Sequence, residues 1–251
     1  MFKLLRRLLH DNNVVGFSLV KNKVYLRSPA AVTREWGEVE VIGEPRPFFR
    51  QPSGCSPDFG VGGNEFLTAQ HCVGIGKAQG TVKMSDGTYA KIVRANPWRP
   101  LTKWMLIECF LEHLLTGKTV SCLNKDWALI DGGNEFTSAP IGALSGGTEP
   151  PGMSFFAPCV PNPEEWIGKE ICGVSYDYDA GKYVVGTWKI EDLGIVRYDI
   201  DGRVYPVFAW FARGFSKPGF SGTNAFPAGT CPRLPEPKTV EAVDYIVADK
   251  A

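Results

Sequence analysis

Histidine is scarce in this sequence: His10, His71 and His113 are the only three. So few imidazoles leave little material for a histidine-built metal centre. The seven cysteines add none, because Cys109 and Cys122, like Cys159 and Cys172, stand 13 residues apart, which fits no compact zinc spacing. No metal and no cofactor is called for. Long apolar runs are missing too, as no stretch approaches the roughly 18 residues that a membrane-spanning helix needs. Net charge is absent, with 27 basic and 27 acidic residues, so the balance points neither to nucleic acid nor to an acidic substrate. There is no internal repeat and no low-complexity tract. What is present suits a globular chain of 251 residues, 44% of them apolar, able to bury one or two cores. The 28 glycines and 19 prolines fit an all-β protein with many turns.

The chain opens on a short amphipathic segment, residues 1–13. Phe2, Leu5, Leu8 and Leu9 fall on one helical face, with Lys3, Arg6 and Arg7 largely elsewhere. Such a helix can rest on an anionic membrane surface or dock against the body of the protein, and docking is the commoner use. It lacks the apolar core and cleavage site of a secretory signal, so the expected location is the host cytoplasm, with association to a membrane surface left open. Val14–Val20, Val24–Leu26, Val39–Val41, Thr81–Met84 and Tyr89–Val93 read as strands, the last two flanking a turn at Ser85-Asp86-Gly87. Thr102–Leu115 breaks that pattern. Trp104, Ile107, Leu111 and Leu114 recur at helical spacing, with Glu108 and Glu112 on another face and Gly117 near the stop. Residues 145–166, rich in Gly and Pro, form the expected crossing between an N-terminal half (14–145) and a C-terminal half (146–251). Beyond it Glu170–Ser175, Tyr183–Ile190, Gly194–Tyr198 and Val204–Trp210 alternate as strands, with a turn at Asp201-Gly202.

Three local frames carry chemistry. Thr68-Ala69-Gln70-His71-Cys72 places a histidine just after a buried strand, Phe66–Ala69. Asp126, 55 residues later, opens Asp126-Trp127-Ala128-Leu129-Ile130, and Lys217-Pro218-Gly219-Phe220-Ser221-Gly222 follows in the C-terminal half. A serine hydroxyl is a weak nucleophile at neutral pH and needs an imidazole to take its proton. The imidazole needs a carboxylate on its other nitrogen to hold the tautomer. A tight turn with glycines, here Gly219 and Gly222 around Ser221, can aim backbone N–H groups at a developing oxyanion. Each frame alone is common punctuation. Their conjunction in the order His, Asp, Ser is what points to acyl transfer.

These frames resemble the chymotrypsin-like (trypsin-fold) serine peptidases. The resemblance implies two six-stranded antiparallel β-barrels, with His71 as general base, Asp126 as orienting carboxylate and Ser221 as nucleophile. It implies an oxyanion hole from the N–H groups of Gly219 and Ser221. Phe220 stands where the secreted digestive members carry an aspartate, so activation by propeptide removal is not expected. Ser216-Lys217-Pro218-Gly219-Phe220-Ser221-Gly222-Thr223 is similar to the frame of sobemovirus and polerovirus proteases, which implies polyprotein processing and a peptide substrate. By the same resemblance Phe215 and Ser216 floor the primary pocket. Neither is acidic, so Lys and Arg at the cleavage site are disfavoured. The family's spacing also implies a bridge between Cys55 and Cys72, against which stands the lack of an export signal. Only 30 residues follow Ser221, with strand candidates at Thr223–Phe226 and Val240–Ala248, so the second barrel is expected to be short of a strand. Two other readings stay open, a cellular or secreted trypsin-like peptidase and a catalytically inactive protease-like binding module.

Overall fold

The structure, a computed structural model, describes residues 5–7, 10–29, 37–43, 55, 60–62, 64–84, 87–117, 121–132, 144–145, 152–158, 160–177, 182–214, 220–223 and 225–229. The first half supplies β1 (Val14–Ser18), β2 (Lys23–Leu26), β3 (Glu38–Val41), β4 (Gly60–Gly62) and β5 (Glu65–Thr68). A helical turn α1 (Gln70–Val73) precedes β6 (Thr81–Lys83) and β7 (Tyr89–Ala95). Helix α2 (Lys103–Thr116) then leads to β8 (Ala128–Asp131). The second half adds β9 (Leu144–Ser145), β10 (Gly152–Phe156), β11 (Glu170–Asp177), β12 (Lys182–Ile200), β13 (Arg203–Gly214) and β14 (Ala225–Pro227). The fold is all-β in character, and among the described residues the pairing closes neither of its two sheets into a barrel.

The smaller sheet runs β4-β5-β8-β7-β6 and the larger runs β10-β13-β12-β1-β2-β3, with β11, β14 and β9 joined through β12 and β11. Pairing sends β1 to β12, with Gly16 opposite Val196 and Ser18 opposite Gly194. The first three strands therefore extend the larger sheet. The close seam requires glycine: a Cβ on Gly194 would stand 2.2 Å from the Phe17 carbonyl oxygen.

Strand β12 is the spine. Its polar interruption at Glu191-Asp192 reads as a loop in sequence, yet the ladder continues through a bulge between Ile190 and Asp192. The bulge sends the two acids to different fates. Glu191 bonds the Arg213 guanidinium at 2.9 Å. Asp192 turns inward, fully buried, and accepts from Ser18 Oγ and Tyr25 Oη, each at 2.7 Å, and from the Leu193 N–H at 2.8 Å. Burial and the Asp192 carboxylate push the Tyr25 phenol pKa far up, so it stays a neutral donor. The β12–β13 hairpin closes at Asp201-Gly202 with φ of 49° and 72°, the left-handed pair that matches strand twist.

The main core gathers Leu67, Leu101 and Trp127 with Trp188, Ile195, Phe208 and Trp210, so the two sheets share one apolar interior. Leu5 lies in it at 1% exposure, which puts this part of the N-terminal apolar face on the protein body. No helix among the described residues is long and apolar enough to cross a membrane.

Candidate active site

Antiparallel register brings the first two functional frames together. Thr68, the last residue of β5, pairs with Ala128, the first of β8. His71, three residues past one end, and Asp126, two residues before the other, therefore leave the sheet on the same edge. There the imidazole Nδ1 lies 2.7 Å from Asp126 Oδ2, and the His71 backbone N–H donates to Oδ1 at 3.1 Å. One residue thus engages both carboxylate oxygens, with side chains 5% and 13% exposed. A carboxylate on Nδ1 fixes that nitrogen as the N–H donor and leaves Nε2 as the basic one.

The surroundings hold this pair from every side. Gln70, fully buried, donates from Nε2 to the Gly74 and Lys77 carbonyls, both at 3.0 Å, and pins the loop after the histidine turn. Cys72 is bridged to Cys55, with Ala69 in the same small cluster. Cys55, His71 and Cys72 bring ligand atoms within 4.8 Å, but both sulfurs belong to the disulfide and supply no thiolate for a metal. Trp98 donates from its indole to the Lys125 carbonyl at 3.0 Å, and its ring centroid stands 6.1 Å from that of His71. Tyr198 of β12 lies at 6.4 Å on the same imidazole. Burial, then the Asp126 charge, raises the Tyr198 phenol well above its ordinary pKa, so it adds no charge of its own.

Asn124 is the hinge between the sheets. Its side chain accepts from the Arg99 N–H at 2.7 Å and donates to the Arg99 carbonyl at 2.8 Å. Its backbone receives the Phe208 N–H and donates to the Pro206 carbonyl, making an isolated bridge to β13. Asp126 thus hangs from a loop fastened both to its own sheet and to the sheet that carries the serine.

Ser221 sits half-buried in the turn Phe220–Thr223, between β13 and β14. The Thr223 N–H returns to the Phe220 carbonyl at 3.1 Å, and Gly222 takes the φ of 89° that the third position of such a turn demands. Thr223 Oγ1 also donates to Phe220 O at 2.6 Å, which leaves Ser175 Oγ of β11 to donate to it at 2.5 Å. Phe220 is buried in the main core and anchors the turn from below. Pairing of β14 with β11 holds the far side, Cys172 opposite Phe226. Phe215, Ser216 and Gly219, and the strand candidate Val240–Ala248, lie outside the described residues.

Of the three expected residues, His71 and Asp126 are joined directly, and Ser221 is set in a braced turn on the other sheet. Sequence reading missed Gln70, Trp98, Asn124, Ser175 and Thr223. Gln70 sits inside the histidine motif, where its spacing marks it as adjacent but says nothing of its two carbonyl partners. Asn124 and Thr223 stand two residues from Asp126 and Ser221, but nothing local names their partners, while Trp98 and Ser175 are distant in sequence and give no local signal.

A histidine–carboxylate pair between two β-sheets, with a serine-bearing glycine turn on the second, is the framework of a hydrolytic site. The family model described as "Putative filamentous viruses peptidase" matches residues 31–228. The chain belongs to that family. Among solved structures it is similar to the crystal structure of the Rv3671c protease in its inactive form. The identity is 14% and the TM-score 0.30, over 67% of this chain and 64% of that one. The chain therefore spans less than two thirds of that protease's length. No curated protein sequence matches significantly.

Proposed function

We propose that this peptidase is a serine endopeptidase in which Ser221 is the nucleophile, His71 the general base and Asp126 the carboxylate that orients it. The observation that carries the reading is the double engagement of Asp126 by His71, through Nδ1 and the backbone N–H together. Nε2 removes the Ser221 proton as Oγ attacks the peptide carbonyl, and the N–H groups of Gly219 and Ser221 receive the oxyanion. The imidazolium then protonates the leaving amine, and water releases the acyl group by the reverse transfers. The architecture in this reading is the two-barrel trypsin-like one of the sobemovirus type, and the substrate is a viral polyprotein. A pocket floored by Phe215 and Ser216, with no acid, takes small or apolar residues in preference to Lys or Arg.

The deciding experiment treats the purified full chain with a fluorophosphonate and maps the adduct by mass spectrometry. Labelling at Ser221, lost in Ser221→Ala and in heat-unfolded protein, is expected. A folded sample that takes no label and cleaves no member of a peptide library would identify a silent binding module instead. A library profile dominated by Lys or Arg at the cleavage site would remove the pocket assignment.

A further inference from the structure

Helix α2 turns outward the face that its own sequence makes most apolar. Trp104, Ile107, Leu111 and Leu114 are 79%, 47%, 49% and 68% exposed, and Phe110 and Leu115 flank them at 48% and 81%. The inward face holds Met105 and Cys109, with Leu106 partly buried against the core, and Cys109 is bridged to Cys122. Both ends are capped. Thr102 Oγ1 accepts from the Met105 N–H, and Gly117 closes the helix in the left-handed conformation. The stripe is therefore a fixed feature of a well-formed helix, and a contiguous apolar surface of this kind marks an interaction site.

The spacing identifies what covers it. Steps of three, four and three from Trp104 to Leu114 place the four residues at the a and d positions of a heptad, the seam of two packed helices. Lys103 and Phe110 then occupy g, and Glu108 and Leu115 occupy e. In a parallel pair each g residue faces the e residue five positions further along the partner helix. That sets Lys103 against Glu108 and Phe110 against Leu115, so charge meets opposite charge and apolar meets apolar. Antiparallel pairing over the same four seam residues sets Phe110 on Phe110 but Glu108 on Glu108, so like charges would meet. We propose that this face is an interface between two copies of this chain, with the α2 helices parallel about a two-fold axis. Glu108, which already accepts from Arg99 at 2.9 and 3.0 Å, would be shared between that guanidinium and Lys103 of the second copy. A free peptide of 14 residues is too short to pair, but here the cost of ordering the helix is met by the fold. Glu108 and Glu112 border the face and disfavour an anionic lipid surface.

Sedimentation equilibrium of the full chain, over a concentration series reaching the high micromolar range, tests this. A reversible monomer–dimer equilibrium is expected. Leu111→Glu should abolish it with an unchanged circular dichroism spectrum, since that side chain leaves the core untouched. Lys103→Glu should weaken it about tenfold, and the swap Lys103→Glu with Glu108→Lys should restore affinity relative to either single variant. A monomer at every concentration would overturn the proposal, as would a dimer indifferent to Leu111→Glu. Failure of the swap to restore affinity would overturn the parallel register. Flotation of a monomeric protein with phosphatidylserine vesicles, lost in Leu111→Glu, would assign the face to lipid and also overturn it. None of these readouts depends on the catalytic reading.

Discussion

Asp126 has one histidine on both of its oxygens, so replacing a single atom separates two functions. Asp126→Asn keeps the shape but presents an amide where Nδ1–H needs an acceptor, which favours the wrong tautomer. Turnover should fall by ~10⁴ with little loss of stability, as measured by steady-state cleavage beside urea unfolding. Asn124 differs because its side chain touches no reacting atom in this reading. Asn124→Ala would leave the Arg99 N–H and carbonyl without their partner in a partly buried place, at a cost of roughly 1–2 kcal/mol. As a positioning residue it should lower kcat more than it raises KM. An unfolding midpoint unchanged by the mutation would show that the hinge is unimportant. Thr223 and Ser175 brace the serine turn in the same indirect way. Nothing in the local sequence marks a hydroxyl on β11 as the partner of one 48 residues away.

At the scale of elements, tight strand packing makes a sharp prediction at Gly194. A methyl group there would collide with the Phe17 carbonyl, so Gly194→Ala should destabilise the protein by several kcal/mol, read by thermal and urea unfolding. Gly43, where an added Cβ meets nothing within 4 Å, is the spatial contrast, although its φ of 77° still disfavours a side chain. Short-range pattern revealed much of the element list. Phe66–Ala69 is a short buried run ending just before His71, Ala128–Ile130 is an apolar run beginning just after Asp126, and Asp201-Gly202 marks its hairpin because two-residue turns have few solutions. Three features resisted such reading. The polar pair Glu191-Asp192 mimics a loop, and only the arginine on β13 and the hydroxyls on β1 and β2 reveal it as a bulge. The pairing of β1 with β12 spans most of the chain and leaves no trace in either segment. Helix α2 was legible as a helix, but which of its two apolar faces points inward depends on a tertiary contact at Met105 and on the bridge at Cys109.

Across the whole molecule, partly buried ion networks tie the halves together and set the response to acid. Glu40 accepts from Lys23 at 2.7 Å and from Arg213, which also holds Glu191. Asp199 accepts from Arg27 and Arg197. Burial alone would raise both carboxyl pKa values, but hydrogen bonds from these cations outweigh it and lower them below the ordinary 4.5 and 3.8. Stability from the two groups is thus complete above those values and is lost as pH falls through the lowered folded-state pKa. Unfolding free energy should decline below about pH 4.5, less steeply in Glu40→Gln with Asp199→Asn, as followed by urea titration at several pH values. The bridges Cys55–Cys72 and Cys109–Cys122 act through chain entropy instead. Their reduction should cost roughly 2–4 kcal/mol each without removing any reacting group, since no thiol takes part. Loss of cleavage on reduction while the fold persists would give the Cys55–Cys72 bridge a direct role beside His71. The β1–β12 seam carries a different consequence, one of timing. Residue 18 must wait for residue 194 before its strand has a neighbour on that side, roughly ten to thirty seconds at ribosomal speeds. During that interval the nascent chain can fold little more than the small sheet, and the histidine–aspartate pair exists without its serine. On the proposed triad, cleavage cannot begin while the first half of the chain is still emerging.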